Sequence, residues 1–246
     1  MQRRGWTRDE LLIVIHLYLD TAFGRMHKTN PEVIKTARLI GRTPSAVAFK
    51  LGNFASLDPS LDRKGMSNTS KLDKAVWQEF FDDWGAAVET SEQLYKERIS
   101  SIDLLVEEDF SRLVGKDSLR LTKVRQNQQR FRKMISASYD GACCISGIQE
   151  SSLLVAAHIR PWHLDEANRL NPQNGLYLNA LCDKAYEVGL ITITIDYTVQ
   201  LSQQLQKDDS AAAYFGQFDG QAIRLPRRFL PDRGFLEYHL CERFIG

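Results

Sequence analysis

The chain is short of cysteine, of chain breakers, of long apolar runs and of net charge, and each shortage excludes something. Its four cysteines, Cys143, Cys144, Cys182 and Cys241, contain no Cys-x-x-Cys pair, and two are adjacent. That excludes a disulfide framework and a zinc knuckle and fits a reducing, cytoplasmic setting. Only 15 glycines and 7 prolines occur in 246 residues, with 43% apolar and 26% charged residues, so the chain is neither low-complexity nor disordered throughout and can bury a core. The most apolar stretch, Leu11 to Leu19, follows Asp9 and Glu10, is interrupted by His16 and ends at Asp20. This pattern predicts neither a membrane span nor a signal peptide. With 32 basic against 31 acidic side chains, the net charge of +1 points to neither nucleic acid nor a membrane surface.

The charge is nevertheless unevenly placed. Residues 1–70 carry 11 bases and 6 acids, 71–120 carry 7 and 12, 121–170 carry 7 and 4, and 171–246 carry 7 and 9. In the first block, Leu11, Val14, Ile15, Tyr18, Leu19 and Ala22 repeat at helical spacing behind a Thr7 to Glu10 capping box. A second helix is predicted from Pro31 to Gly41, and a third from Pro44, capped by Thr43. Two helices across a Gly-Arg turn have the outline of a helix-turn-helix, and Arg42, Ser45, Lys50 and Asn53 become candidate DNA contacts. The same pattern also suits a three-helix bundle with a solvated basic face. A further helix is predicted over Lys71 to Trp84. The expected division is a helical DNA-contacting domain at 1–85, an acidic helical connector at 86–120 and a second domain at 121–246.

In that second domain a basic helix carries Arg125, Arg130, Arg132 and Lys133 beside Phe131, Met134 and Ile135. Arg125 and Arg132 are candidate phosphate contacts, although such a face can equally be solvated. Strands are predicted at Cys143 to Ile145, Leu153 to Ile159 and Leu176 to Leu178. A short helix capped by Asn179 and stopped at Gly189 follows, then a hairpin of Ile191, Ile193, Ile195 and Val199 around Asp196-Tyr197. The informative order is Ala157-His158-Ile159-Arg160-Pro161-Trp162, Asn174-Gly175-Leu176-Tyr177-Leu178, then Leu181-Cys182-Asp183-Lys184-Ala185-Tyr186-Glu187-Val188-Gly189-Leu190-Ile191. It reads as strand, loop, strand, helix, with a histidine closing the first strand. A lone strand histidine is more often a core residue than a catalyst; its neighbours here change that.

These motifs resemble the HNH endonucleases, in the branch written His-Ile-x-Pro-Trp, Asn-Gly-Leu-x-Leu, Asn-Ala-Leu-His-Asp-Lys-Ala. The resemblance covers about Arg125 to Ile195, and Phe235 to His239 is similar to that branch's C-terminus. It implies an α+β protein in which a helical N-terminal domain, helix-turn-helix-like, precedes a ββα-metal nuclease domain. It further implies a metal-dependent DNA endonuclease, with restriction or anti-phage defence as the role the family suggests. His158 would be the general base, Asn174 the residue that orients it, and Arg160 a phosphate clamp. One divalent metal ion, magnesium or manganese, would sit at the helix position held here by Cys182, with Asp183 beside it and His163 or Glu187 as further partners. Two departures stand out. Ala157 replaces an acid found in many HNH enzymes, and Cys182 replaces histidine, a soft sulfur that favours zinc, nickel or cobalt over magnesium. One cut per active site implies a homodimer for double-strand cleavage. The alternative is an HNH-fold DNA-binding or sensor protein whose catalysis Cys182 has weakened.

Overall fold

The computed structural model describes residues 4–59, 61, 68–103 and 116–246, without side chains at 101–103 and 116–126. The chain divides into two compact units, Met1–Arg130 and Phe131–Gly246. In the first, helix α1 (Arg8–Asp20) starts at Thr7, whose hydroxyl accepts from the Glu10 amide while the Glu10 carboxylate accepts from Thr7 N. Leu11, Leu12, Ile13, Val14 and Ile15 are all buried, so α1 is enclosed on every side. Around it lie α2 (Pro31–Leu39), α3 (Pro44–Leu57), α4 (Lys71–Asp82) and α5 (Trp84–Asp103). The α2 to α3 turn passes through Gly41 at φ +64°, the left-handed region glycine enters most readily. Tyr18, Phe54 and Trp77 pack edge to face and stacked between α1, α3 and α4.

Residues 86–103, read from sequence as connector, lie in α5, which packs on α1. His16 stacks on Tyr95 with ring centroids 4.9 Å apart, and Ser91 Oγ lies 3.5 Å from His16 Nδ1. Helix α6 (Lys116–Ser138) contains the division between the units. Its Arg130, expected on a basic face, is buried: it donates to His16 Nε2 at 2.8 Å and His16 O at 3.0 Å and pairs with Asp20.

The second unit is built on a two-stranded hairpin. Strand β1 (Leu154–His158) runs antiparallel to β2 (Gly175–Asn179), with His158 opposite Gly175 and Leu154 opposite Asn179. Helix α7 (Ala180–Glu187) leaves β2 directly and packs back on both strands. Gly175 is required by close approach: a Cβ there would stand 2.3 Å from Ile135 Cδ1 and 2.8 Å from Phe131 Cζ of α6. A second hairpin, β3 (Ile191–Ile193) and β4 (Val199–Leu201), follows as expected, then α8 (Asp209–Phe215) and α9 (Arg233–Glu242). The strand expected at Cys143 to Ile145 is instead a tight turn. Cys143 N donates to Ile148 O, and Gly147 N, at φ +75°, donates back to Cys143 O, while Cys144 N donates to Tyr177 O of β2, so Cys143 and Cys144 are buried on a turn rather than in a strand. Among the described residues no helix is long and apolar enough to cross a membrane.

Candidate active site

His158 is the last residue of β1, and its ring is held on three sides. One face stacks on Phe131 at 3.8 Å and 11°, Trp162 meets it at right angles at 5.3 Å, and Nε2 lies 2.9 Å from the carbonyl oxygen of Arg169. A carbonyl only accepts, so Nε2 carries the hydrogen and Nδ1 keeps its lone pair. Burial lowers the pKa of the ring below the ordinary histidine value, partly opposed by that carbonyl bond, so the ring is neutral at pH 7.

The loop from Ile159 to Asn174 carries everything around the ring except Phe131. Asn174, fully buried, closes it: Oδ1 accepts from Arg160 N at 2.8 Å, Nδ2 donates to Arg160 O at 3.1 Å and Asn168 O at 3.4 Å, and its own carbonyl accepts from Ile159 N. Its side chain thus binds the main chain that leads away from His158 rather than the ring. Arg160 lies over the ring of Tyr238 at 5.0 Å and pairs with Asp165 at 3.5 Å, its side chain 42% exposed.

A strand-end histidine, an asparagine closing the return loop and a helix folded back on the hairpin make up a ββα unit, and residues 143–194 match the model of the HNH endonuclease family. This segment is an HNH domain. A search of the curated proteins finds no match to the chain.

The HNH domain treats its helix position unusually. Cys182 is fully buried in the first turn of α7, where Asn179 caps the helix through Oδ1 and donates from Nδ2 to Cys182 Sγ at 3.2 Å. The other neighbour of that sulfur is Cys143, whose Sγ accepts from Asn179 N at 3.2 Å and Ser146 N at 3.4 Å. The hydrogen bond from Cys182, with those from Ser146 and Asn179, draws the Cys143 thiol down to about 5, and the same bond together with burial pushes Cys182 well up. Cys143 and Cys182 are therefore a coupled, buried thiol pair gathered around the Asn179 cap. Asp183 is half-buried, its pKa raised by burial and by Glu187, while Glu187 itself is exposed and paired with Lys184. HNH nucleases use a divalent metal ion, and the donors here do not fit a hard one: Ala157 offers no oxygen, Cys182 is engaged with Asn179 and Cys143, and among the described residues no three His, Cys, Asp or Glu side chains gather as a metal group.

Of the remaining candidates, Arg132 is on the exposed face of α6 and donates to Ser151 O, the side chain of Arg125 lies outside the described residues, and His163 is exposed in the loop. Of the four candidates in the first unit, Arg42, Ser45, Lys50 and Asn53, only Ser45 is exposed. Arg42 is held by Glu10 and by Arg4 O and Gly5 O over the ring of Trp6, Lys50 forms a buried pair with Asp73 at 2.9 Å, and Asn53 is 1% exposed. Sequence reasoning missed Phe131, Cys143 and Arg169. Phe131 was legible only as one more apolar residue of a basic helix, Cys143 lies 39 residues before its partner in the chain, and the service of Arg169 to His158 is a main-chain carbonyl that any residue could supply.

Proposed function

We propose that the protein is a DNA endonuclease in which Nδ1 of His158 is the general base. The observation that carries this reading is the bond from His158 Nε2 to Arg169 O, because it fixes the tautomer with the free lone pair on the other nitrogen. His158 Nδ1 takes a proton from water, the resulting hydroxide attacks phosphorus, and the bond to the 3′ oxygen breaks. That oxygen takes its proton from solvent, leaving a 5′ phosphate and a 3′ hydroxyl. Phe131 and Trp162 keep the ring from turning, and Asn174 sets the path of the loop that delivers the Arg169 carbonyl. Arg160 and Arg132 supply positive charge beside the strand. Restriction or phage defence, and a paired chain for cutting both strands, belong to this reading as its biological setting.

The buried Cys143 and Cys182 pair favours one rival, an HNH-fold DNA-binding protein with catalysis lost. A supercoiled-plasmid assay across magnesium, manganese, nickel, cobalt and zinc separates the two. Nicking by the wild type, reduced at least about a hundredfold in His158→Ala with affinity nearly unchanged, supports the nuclease, because a general base is worth 10²–10⁴ in rate and little in binding. Wild-type nicking rates in His158→Ala would remove His158 from the mechanism. DNA binding without nicking under any metal would favour the rival.

A further inference from the structure

We propose that the guanidinium of Arg169 is the seat of a nucleic-acid phosphate next to the one His158 addresses, and that Glu166 holds this seat in the free protein until a strand displaces it. The inference rests on the nuclease reading for the nature of its ligand. Arg169 is tied to the site twice. Its carbonyl accepts from His158 Nε2, and its side chain folds over the ring of Trp162, guanidinium carbon 5.2 Å from the ring centre, with Nε donating to Trp162 O at 2.9 Å. Trp162 is itself the side chain that meets the His158 ring edge-on. One residue therefore supplies both the carbonyl that sets the base and a cation of fixed orientation one aromatic ring away.

Glu166 occupies that cation, its Oε1 2.7 Å from Arg169 Nη2, while its own side chain is 79% exposed. Among the described residues, Glu166 and Trp162 O are the acceptors bonded to the guanidinium. A carboxylate on an arginine fork has the charge and the paired oxygens of a phosphodiester, and an exposed pair three residues apart is weak and screened by salt. The neighbouring pair differs. Asp165 is 12% exposed and is anchored by Asn168 N at 3.3 Å and by Asn168 Nδ2 at 3.0 and 2.9 Å, so the acid beside Arg160 is a fixed part of the loop. Of the two acid and arginine pairs flanking His158, only Glu166 with Arg169 is built to exchange.

The test is fluorescence anisotropy of the full chain with a labelled duplex oligonucleotide, in chelator and without cleavage, over a range of salt. Glu166→Gln is expected to tighten binding about three- to tenfold at low salt. Arg169→Ala is expected to weaken it about tenfold and to reduce the salt slope by about one released counterion. In the double variant the gain from Glu166→Gln should vanish, because the seat it uncovers is gone. A gain of the same size in the Arg169→Ala background would reduce Glu166 to general repulsion and overturn the inference, as would unchanged affinity in Glu166→Gln, an exposed substitution with no fold to lose, or no DNA binding by the wild type at low salt. Cleavage is not needed for any of these readings. Loss of the nuclease reading in the plasmid assay with the anisotropy pattern intact leaves the seat standing, and the converse removes the seat alone.

Discussion

At the scale of single residues, the tautomer of His158 and the buried Cys143 and Cys182 pair bear most directly on the proposed chemistry. Because burial lowers the His158 pKa, the ring stays neutral to lower pH than a free histidine, as the proposed base requires. Activity should rise with pH through an acid limb whose midpoint lies below about 6.5, then level off. A pH profile of kcat/KM checks this, and a midpoint above that value would mean another group is titrating. Cys182 makes a different forecast. Burial and its coupling to Cys143 push the thiol pKa up, away from the thiolate a metal would need, so Cys182→Ala should change nicking by no more than about threefold, while Cys182→His, which supplies a neutral nitrogen donor, should raise magnesium- or manganese-dependent nicking by about tenfold. Equal rates for the wild type and both variants would show that the helix position takes no part in the chemistry.

At the scale of elements, a short stacked contact in the second unit joins α9 to the helix of the HNH domain. The ring of His239 in α9 lies 3.6 Å from that of Tyr186 in α7. Its Nε2 donates to Tyr186 O at 3.0 Å, and its Nδ1 accepts from the Thr192 hydroxyl of β3 at 2.9 Å. What disfavours the charged ring is its burial, the largest cause, which pulls its pKa down to about 4. The sign follows from linkage. The folded state takes up this proton only near pH 4, whereas the unfolded chain takes it up near 6.5, so the stability is present above 6.5 and is lost as pH falls toward 4. The loss should approach roughly 3 kcal/mol, at 1.36 kcal/mol per unit. Urea titrations of wild type and His239→Gln over pH 4 to 7 check it: the variant should be less stable at neutral pH and should lose this part of the acid dependence. An identical pH slope in both would assign the acid sensitivity elsewhere.

At the scale of the whole molecule, part of the basic excess of the first unit serves its structure rather than its surface. In the first unit Lys50 lies 2.9 Å from Asp73, the pair closed to solvent and stacked against Trp6. Removing one partner strands the other as a buried charge, so Lys50→Ala should cost about 3–5 kcal/mol, while Lys50→Met with Asp73→Leu should cost much less. Denaturant unfolding measures both. A Lys50→Ala chain of native stability with weakened DNA binding would instead restore Lys50 to the role its sequence context implied. The exposed bases left for a polyanion in this unit include Arg25, Lys28, Lys35 and Arg38, away from the positions the helix-turn-helix outline marked.

Some of this was fixed by local sequence. Thr7, Thr43 and Asn179 each cap the helix they were expected to, because a cap is a bond between neighbours in the chain. The order His158, Asn174, Cys182 named the HNH family, because a ββα unit is contiguous and its spacing survives in the text of the chain. Three things needed tertiary structure. The direction in which a polar side chain points depends on which neighbour satisfies it, so Lys50 and Arg42 read as a basic face although Asp73 and Glu10 pair with them. Nothing in the chain order couples Cys143 to Cys182; folding brings the turn that begins at Cys143 against the first turn of α7. The tautomer of His158 is set by the carbonyl of Arg169, 11 residues on, and main-chain carbonyls leave no mark in sequence; only the closed loop decides which one the ring will meet.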